Sequence, residues 1–126
     1  MSQFTRLRPD EPVRLERGRL AALYTSLGEA QAEEIICRAM EELAMRLALL
    51  ERAYAAGELA ALAKGARGLV AIADQVGMTA LAGVAGDVAI CAERRDGTAL
   101  GATLARLMRI SDRSLTAVWD SADLLG

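Results

Sequence analysis

The chain has 126 residues, and its charges balance to a formal net charge of -2, so it lacks both the basic footprint of a nucleic-acid binder and the polybasic anchor of a membrane-surface protein. It contains no histidine, which excludes imidazole chemistry, and with 53% hydrophobic but only 3% aromatic residues its core must be built from Leu, Ala, Val, Ile and Met. That length suits one domain with one core, and Ala and Leu lead the helix-propensity scale, so an all-α bundle is expected.

Taken in chain order, residues 1–12 carry Pro9 and Pro12 with no hydrophobic period and read as an extended lead-in to a single helical bundle domain spanning 13–126. A short helix is expected from Val13 to Ser26, with Leu15, Leu20 and Leu23 turned inward and Gly28 at its end. From Glu29 to Ala56, apolar Ile36, Met40, Leu43, Leu47, Leu50 and Tyr54 recur at steps of four and three, the signature of one face of a long helix. Its first turns hold Glu29, Glu33 and Glu34, where carboxylates meet the positive end of the helix dipole. Gly57 breaks it.

A third helix, Glu58 to Val76, places Leu59, Leu62, Ala66, Leu69, Ala73 and Val76 inside, and Gly77 ends it. The fourth, Thr79 to Arg95, has Leu81, Val84, Val88 and Cys91 inward and Thr79 as a cap at its start. Asp96-Gly97 reads as the next turn, and a fifth helix, Thr98 to Ser121, carries Leu104, Leu107, Ser111, Leu115 and Val118 on one face beside Trp119. Short connections between four long amphipathic helices predict an antiparallel up-and-down four-helix bundle preceded by the short helix.

Cys37 and Cys91 stand singly within helical patterns, with no CxxC pair and no histidine to complete a zinc site, so no metal is expected and both read as buried small apolar side chains; a disulfide or redox switch is the alternative. Uncharged stretches such as residues 75–86 fall short of the roughly 20 residues a spanning helix needs. With a polar start lacking an apolar signal region, a cytoplasmic location away from membranes is expected. Gly65, Gly68, Gly83 and Gly86 lie inside helices at a spacing foreign to phosphate or dinucleotide loops, so no cofactor is expected. Either close helix approach or simple tolerance accounts for them.

The run Gly57-Glu58-Leu59 through Ala66-Arg67-Gly68-Leu69-Val70-Ala71, followed by Gly77-Met78-Thr79-Ala80-Leu81, resembles the core of a histidine-containing phosphotransfer (HPt) domain. In that family a Gly-Asp-Leu-type turn opens a helix, an Ala-His-x-Leu-Lys-Gly motif follows, and a Gly closes the helix before an Ala-Leu-rich one. Glu41-Glu42-Leu43 and Arg46-Leu47 match elements of the preceding long helix, so the resemblance covers about Leu15 to Val118. Aligned on the two turns, Ala66 and Leu69 match, but Arg67 occupies the phosphoacceptor position, Val70 that of the motif lysine and Ala71 that of the motif glycine. A rival register lays Lys64-Gly65 on the motif's Lys-Gly and puts Ala61 at the acceptor position, at the expense of both turn spacings.

A guanidinium has donors and no acceptor, so Arg67 cannot take up phosphate as an imidazole does. The resemblance therefore implies a non-catalytic HPt-like protein of a bacterial two-component phosphorelay, binding a response-regulator receiver domain or a sensor kinase without accepting phosphate. Its contact surface is expected to include Lys64, Arg67, Gly68, Val70, Ala71 and Asp74 of the third helix, extended by Gly83, Asp87 and Ile90 of the fourth. Arg67 and Lys64 either reach a partner's carboxylates or merely solvate the face. The alternative function is a structural or oligomerising bundle without phosphorelay contact, self-associating as a homodimer through the same face. Paired carboxylates such as Glu33-Glu34 diverge around a helix, so no enzyme is read here.

Overall fold

The computed structural model describes residues 17–125, with the side chains at 17, 115, 119 and 121–125 excepted. The lead-in 1–12, the expected first-helix start at Val13, Leu15, and the side chains of Leu115 and Trp119 lie outside this description. The described residues form five helices and no strand: α1 (Arg17–Leu27), α2 (Glu29–Ala56), α3 (Leu59–Gln75), α4 (Thr79–Glu93) and α5 (Gly97–Leu125). Helices consecutive in the chain from α2 to α5 pack on one another, α5 also meets α2, and α1 lies against α2 and α5. No helix among the described residues is long and apolar enough to cross a membrane.

The apolar periods define the core. Ile36, Met40, Leu43, Leu47 and Leu50 of α2 are buried, as are Leu62, Ala66, Leu69 and Ala73 of α3, Leu81, Val84 and Val88 of α4, and Leu104, Leu107 and Val118 of α5. Ser111 sits among these α5 residues because its hydroxyl donates to the Met108 carbonyl at 2.8 Å, which removes the cost of burying a free polar group. Two expected inward residues differ. Tyr54 is exposed, its ring lying over α5 at Gly101, and Cys37 faces solvent rather than the core. A period read from sequence assigns a face but cannot say where along a long helix its neighbours end.

Three helices end in the same hydrogen-bond pattern. After α2 the Glu58 amide donates to Ala53 O (2.9 Å) and Gly57 N–H to Tyr54 O (3.1 Å); after α3, Met78 and Gly77 repeat this onto Ala73 O and Asp74 O at 2.9 and 3.1 Å. Each is a Schellman ending, which requires a left-handed residue, and Gly57 (φ 72) and Gly77 (φ 77) supply it without a Cβ penalty. After α4 the same bonds form, Asp96 N–H to Cys91 O and Arg95 N–H to Ala92 O, but the left-handed residue is Arg95 (φ 57). The expected Asp96-Gly97 turn is thus displaced by one residue. Asp96 instead caps α5, its Oδ1 accepting the Ala99 amide at 3.2 Å, and Gly97 opens that helix. The fourth helix accordingly stops at Glu93, short of Arg95.

A left-handed L-residue costs about 1–2 kcal/mol. Arg95→Gly is expected to raise unfolding stability by roughly 0.5–1 kcal/mol, after allowing for the greater freedom of glycine in the unfolded chain. Urea denaturation of the two proteins measures it, and an unchanged or lowered midpoint would contradict the left-handed ending.

Candidate functional site

α3 is covered on two sides, by α2 and by α4. Its inward residues Leu62, Ala66, Leu69 and Ala73 are buried, leaving Lys64, Arg67 and Ala71 exposed along the outer stripe with Asp74 half-buried at its end. The neighbouring helix exposes Gly83, Asp87 and Ile90, the last 42% accessible. Two residues of the expected surface are set back. Val70 is half-buried and packs on the core, and Gly68 is half-buried beneath Arg46.

The flank of α3 toward α2 carries two of the interior glycines. A Cβ at Gly65 would stand 2.9 Å from Cδ2 of buried Leu50, and one at Gly68 would stand 2.7 Å from Nη1 of Arg46. Arg46 is held there by Glu42 one turn earlier, with Nε and Nη2 donating to Oε2 at 3.2 and 3.0 Å. Close approach to a buried neighbour therefore accounts for Gly65, whereas at Gly68 the neighbour is the end of an arginine that can swing aside. Close approach does not account for Gly83 and Gly86, where an added Cβ would meet nothing within 4 Å.

On the flank toward α4, Arg67 reaches across to Glu93. Its Nε donates to Oε2 at 3.0 Å, and Nη2 contacts both carboxylate oxygens at 2.5 Å, a forked pairing between two helices. Both side chains remain about half exposed, 56% and 47%. Hydrogen bonding and charge from Glu93 raise the Arg67 pKa above its ordinary value, so the guanidinium stays protonated throughout the physiological range. The sign follows: any stability tied to this shift is complete at neutral pH and is lost only at extreme alkalinity, as pH rises through the raised value. Sequence spacing could not find this pair, because its members lie on different helices.

At the far end of α3, Arg19 of α1 donates Nη1 to the Asp74 carbonyl at 2.7 Å, so that carbonyl is not open to a partner. The cysteines lie on α2 and α4 as free thiols, Cys37 exposed and Cys91 partly buried against the core. No cluster of three or more potential metal ligands occurs among the described residues. Comparison of the chain with family models, curated proteins and solved structures finds no match.

The two pairs of glycines separate by experiment. Gly83→Ala, filling open space in a helix, is expected to stabilise by about 0.5–1 kcal/mol, whereas Gly65→Ala must displace Leu50 and is expected to gain less or to lose stability. Thermal or urea unfolding compares them, and an equal gain at both positions would contradict the tight α2–α3 contact.

Proposed function

We propose that this chain is an HPt-like signalling protein without a phosphoacceptor, which docks the receiver domain of a response regulator, or a sensor kinase, and carries no phosphate itself. The observation that carries the reading is the exposed stripe of α3. Lys64, Arg67 and Ala71 face solvent at the position where the resemblance puts the acceptor, flanked by exposed Gly83, Asp87 and Ile90 of α4. An antiparallel up-and-down four-helix arrangement of α2 to α5, with α1 as the short preceding helix, is favoured by joints of two or three residues and by the contacts between consecutive helices. A cytoplasmic setting follows from the proposed partner.

The chemistry at the stripe is recognition. A permanently charged fork of donors matches the carboxylates that line a receiver's phosphorylation pocket, and matches a phosphoryl group equally well. In the free protein that fork is already filled by Glu93, which stands in for the partner's carboxylate. Docking is then an exchange of one forked pair for another, made feasible because both groups lie at the surface and neither must be pulled from a core. Arg67 contributes selectivity for an acidic site, while Ile90 and Ala71 offer apolar contact beside it.

The test is receiver affinity measured across variants by titration calorimetry. Arg67→Ala is expected to weaken binding of a receiver domain by roughly tenfold or more. Glu93→Gln, which removes the competing charge, is expected to strengthen it. Unchanged affinity in both variants would remove Arg67 from the contact, and the absence of binding to any receiver, phosphorylated or not, would overturn the reading as a whole.

A further inference from the structure

Between α2 and α3, on the side of α3 away from Glu93, runs an open groove of about 540 Å³ whose residues the receiver reading leaves mostly unused. Leu49, Leu50, Ala53 and Ala56 of α2 and Ala61 and Gly65 of α3 form an apolar floor. Leu49 is 46% exposed, and Met45, one turn earlier, is 56% exposed and continues the apolar strip along α2. Together with the groove floor they make a continuous apolar strip that a partner could bury.

The rim supplies the other half of the recognition. Arg46, Arg52 and Lys64 line the groove against one lining carboxylate, Glu58. Arg46 is engaged by Glu42, but Arg52 and Lys64 make no hydrogen bond or ion pair among the described residues. On a chain of net charge -2 this is a local excess of positive charge around an apolar floor. Its complement is a strip of apolar side chains bordered by carboxylates.

We propose that the α2–α3 groove binds an amphipathic helix of a partner protein, with an apolar face on the floor and acidic residues against Arg52 and Lys64. A helix is favoured because helices offer no backbone edge for strand addition, whereas a shallow channel between two helices accepts the ridge of a third. The α2 lining from Arg46 to Ala56 spans about 15 Å, which suits roughly three turns of the incoming helix. The surface shares Lys64 with the receiver stripe but not Arg67, and it does not rest on the receiver reading.

The test uses a fluorescein-labelled peptide of about 15 residues with Leu at every third and fourth position and Glu beside them, and its Lys-for-Glu counterpart, followed by anisotropy at low salt. Saturable binding of the Glu peptide is expected, at least tenfold tighter than the Lys peptide. Leu49→Glu and Arg52→Glu should each weaken it at least fivefold, while Arg67→Ala should leave it within twofold. Both substituted positions are exposed, and Leu49→Gln and Arg52→Gln carry the same reading if a reversal unfolds the protein. Failure of the Glu peptide to bind, equal binding of both peptides, indifference to Leu49 and Arg52, or binding to phosphatidylglycerol vesicles in place of peptide would overturn the proposal. Because Arg67→Ala is the control here and the decisive variant for receiver binding, failure of either proposal leaves the other standing.

Discussion

The packing of α2 on α3, closest where buried Leu50 meets Gly65, is the contact on which both proposed surfaces depend. With no side chain at Gly65 or Gly68, the end of buried Leu50 and the Arg46 guanidinium occupy the space a Cβ would take. The apolar period of α3 decides which of its residues turn inward. Leu62, Ala66, Leu69 and Ala73 are driven into the core, and Lys64, Arg67 and Ala71 are left outside. The same contact leaves the shallow channel over Gly65 with Arg52 and Lys64 at its rim. Two surfaces of different character thus flank one helix, a forked guanidinium toward α4 and an apolar channel toward α2.

The Arg67–Glu93 pair changes how the stripe works. An exposed ion pair adds little to folding stability, so its consequence lies in the availability of the guanidinium rather than in holding α3 to α4. Those helices pack closely on one another, and each buries several small residues, Ala63, Ala66 and Ala73 on one and Ala82, Ala85 and Ala89 on the other. On the proposed reading, a surface carboxylate that satisfies the arginine in the free state competes with an acidic partner for it. On the same reading, the missing histidine and this internal carboxylate act in the same direction, toward reversible recognition and away from covalent transfer.

Much of the fold was legible because it rests on local regularities. Steps of three and four gave the core faces of α2 to α5, and Gly57 and Gly77 marked helix ends whose left-handed geometry only glycine adopts freely. Most of the failures depend on contacts between segments distant in sequence, and one depends on a local choice between cap and turn. Tyr54 keeps the period yet leaves the core, because Gly101 of α5 lets its ring lie on the surface. Cys37 sits on the open side of α2. The α4 ending moved to Arg95 because Asp96 serves as the cap of α5, a role that a bare Asp-Gly dipeptide does not distinguish from a turn. Of the site, the exposed stripe was readable from helical spacing alone. The partner of Arg67, the shielding of Gly68 and the capture of the Asp74 carbonyl by Arg19 were not, because each joins two helices.

The central claim, that a receiver domain docks on the outer stripe of α3 without phosphate transfer, is tested most directly by mapping amide chemical shifts of the isotope-labelled protein while an activated receiver is titrated in. The account predicts that perturbations concentrate at Lys64, Arg67, Ala71, Gly83, Asp87 and Ile90, with the Arg67 and Glu93 side chains shifting together and no phosphate appearing on the chain. A titration that moves none of these resonances, or moves only those of a different face, would contradict it.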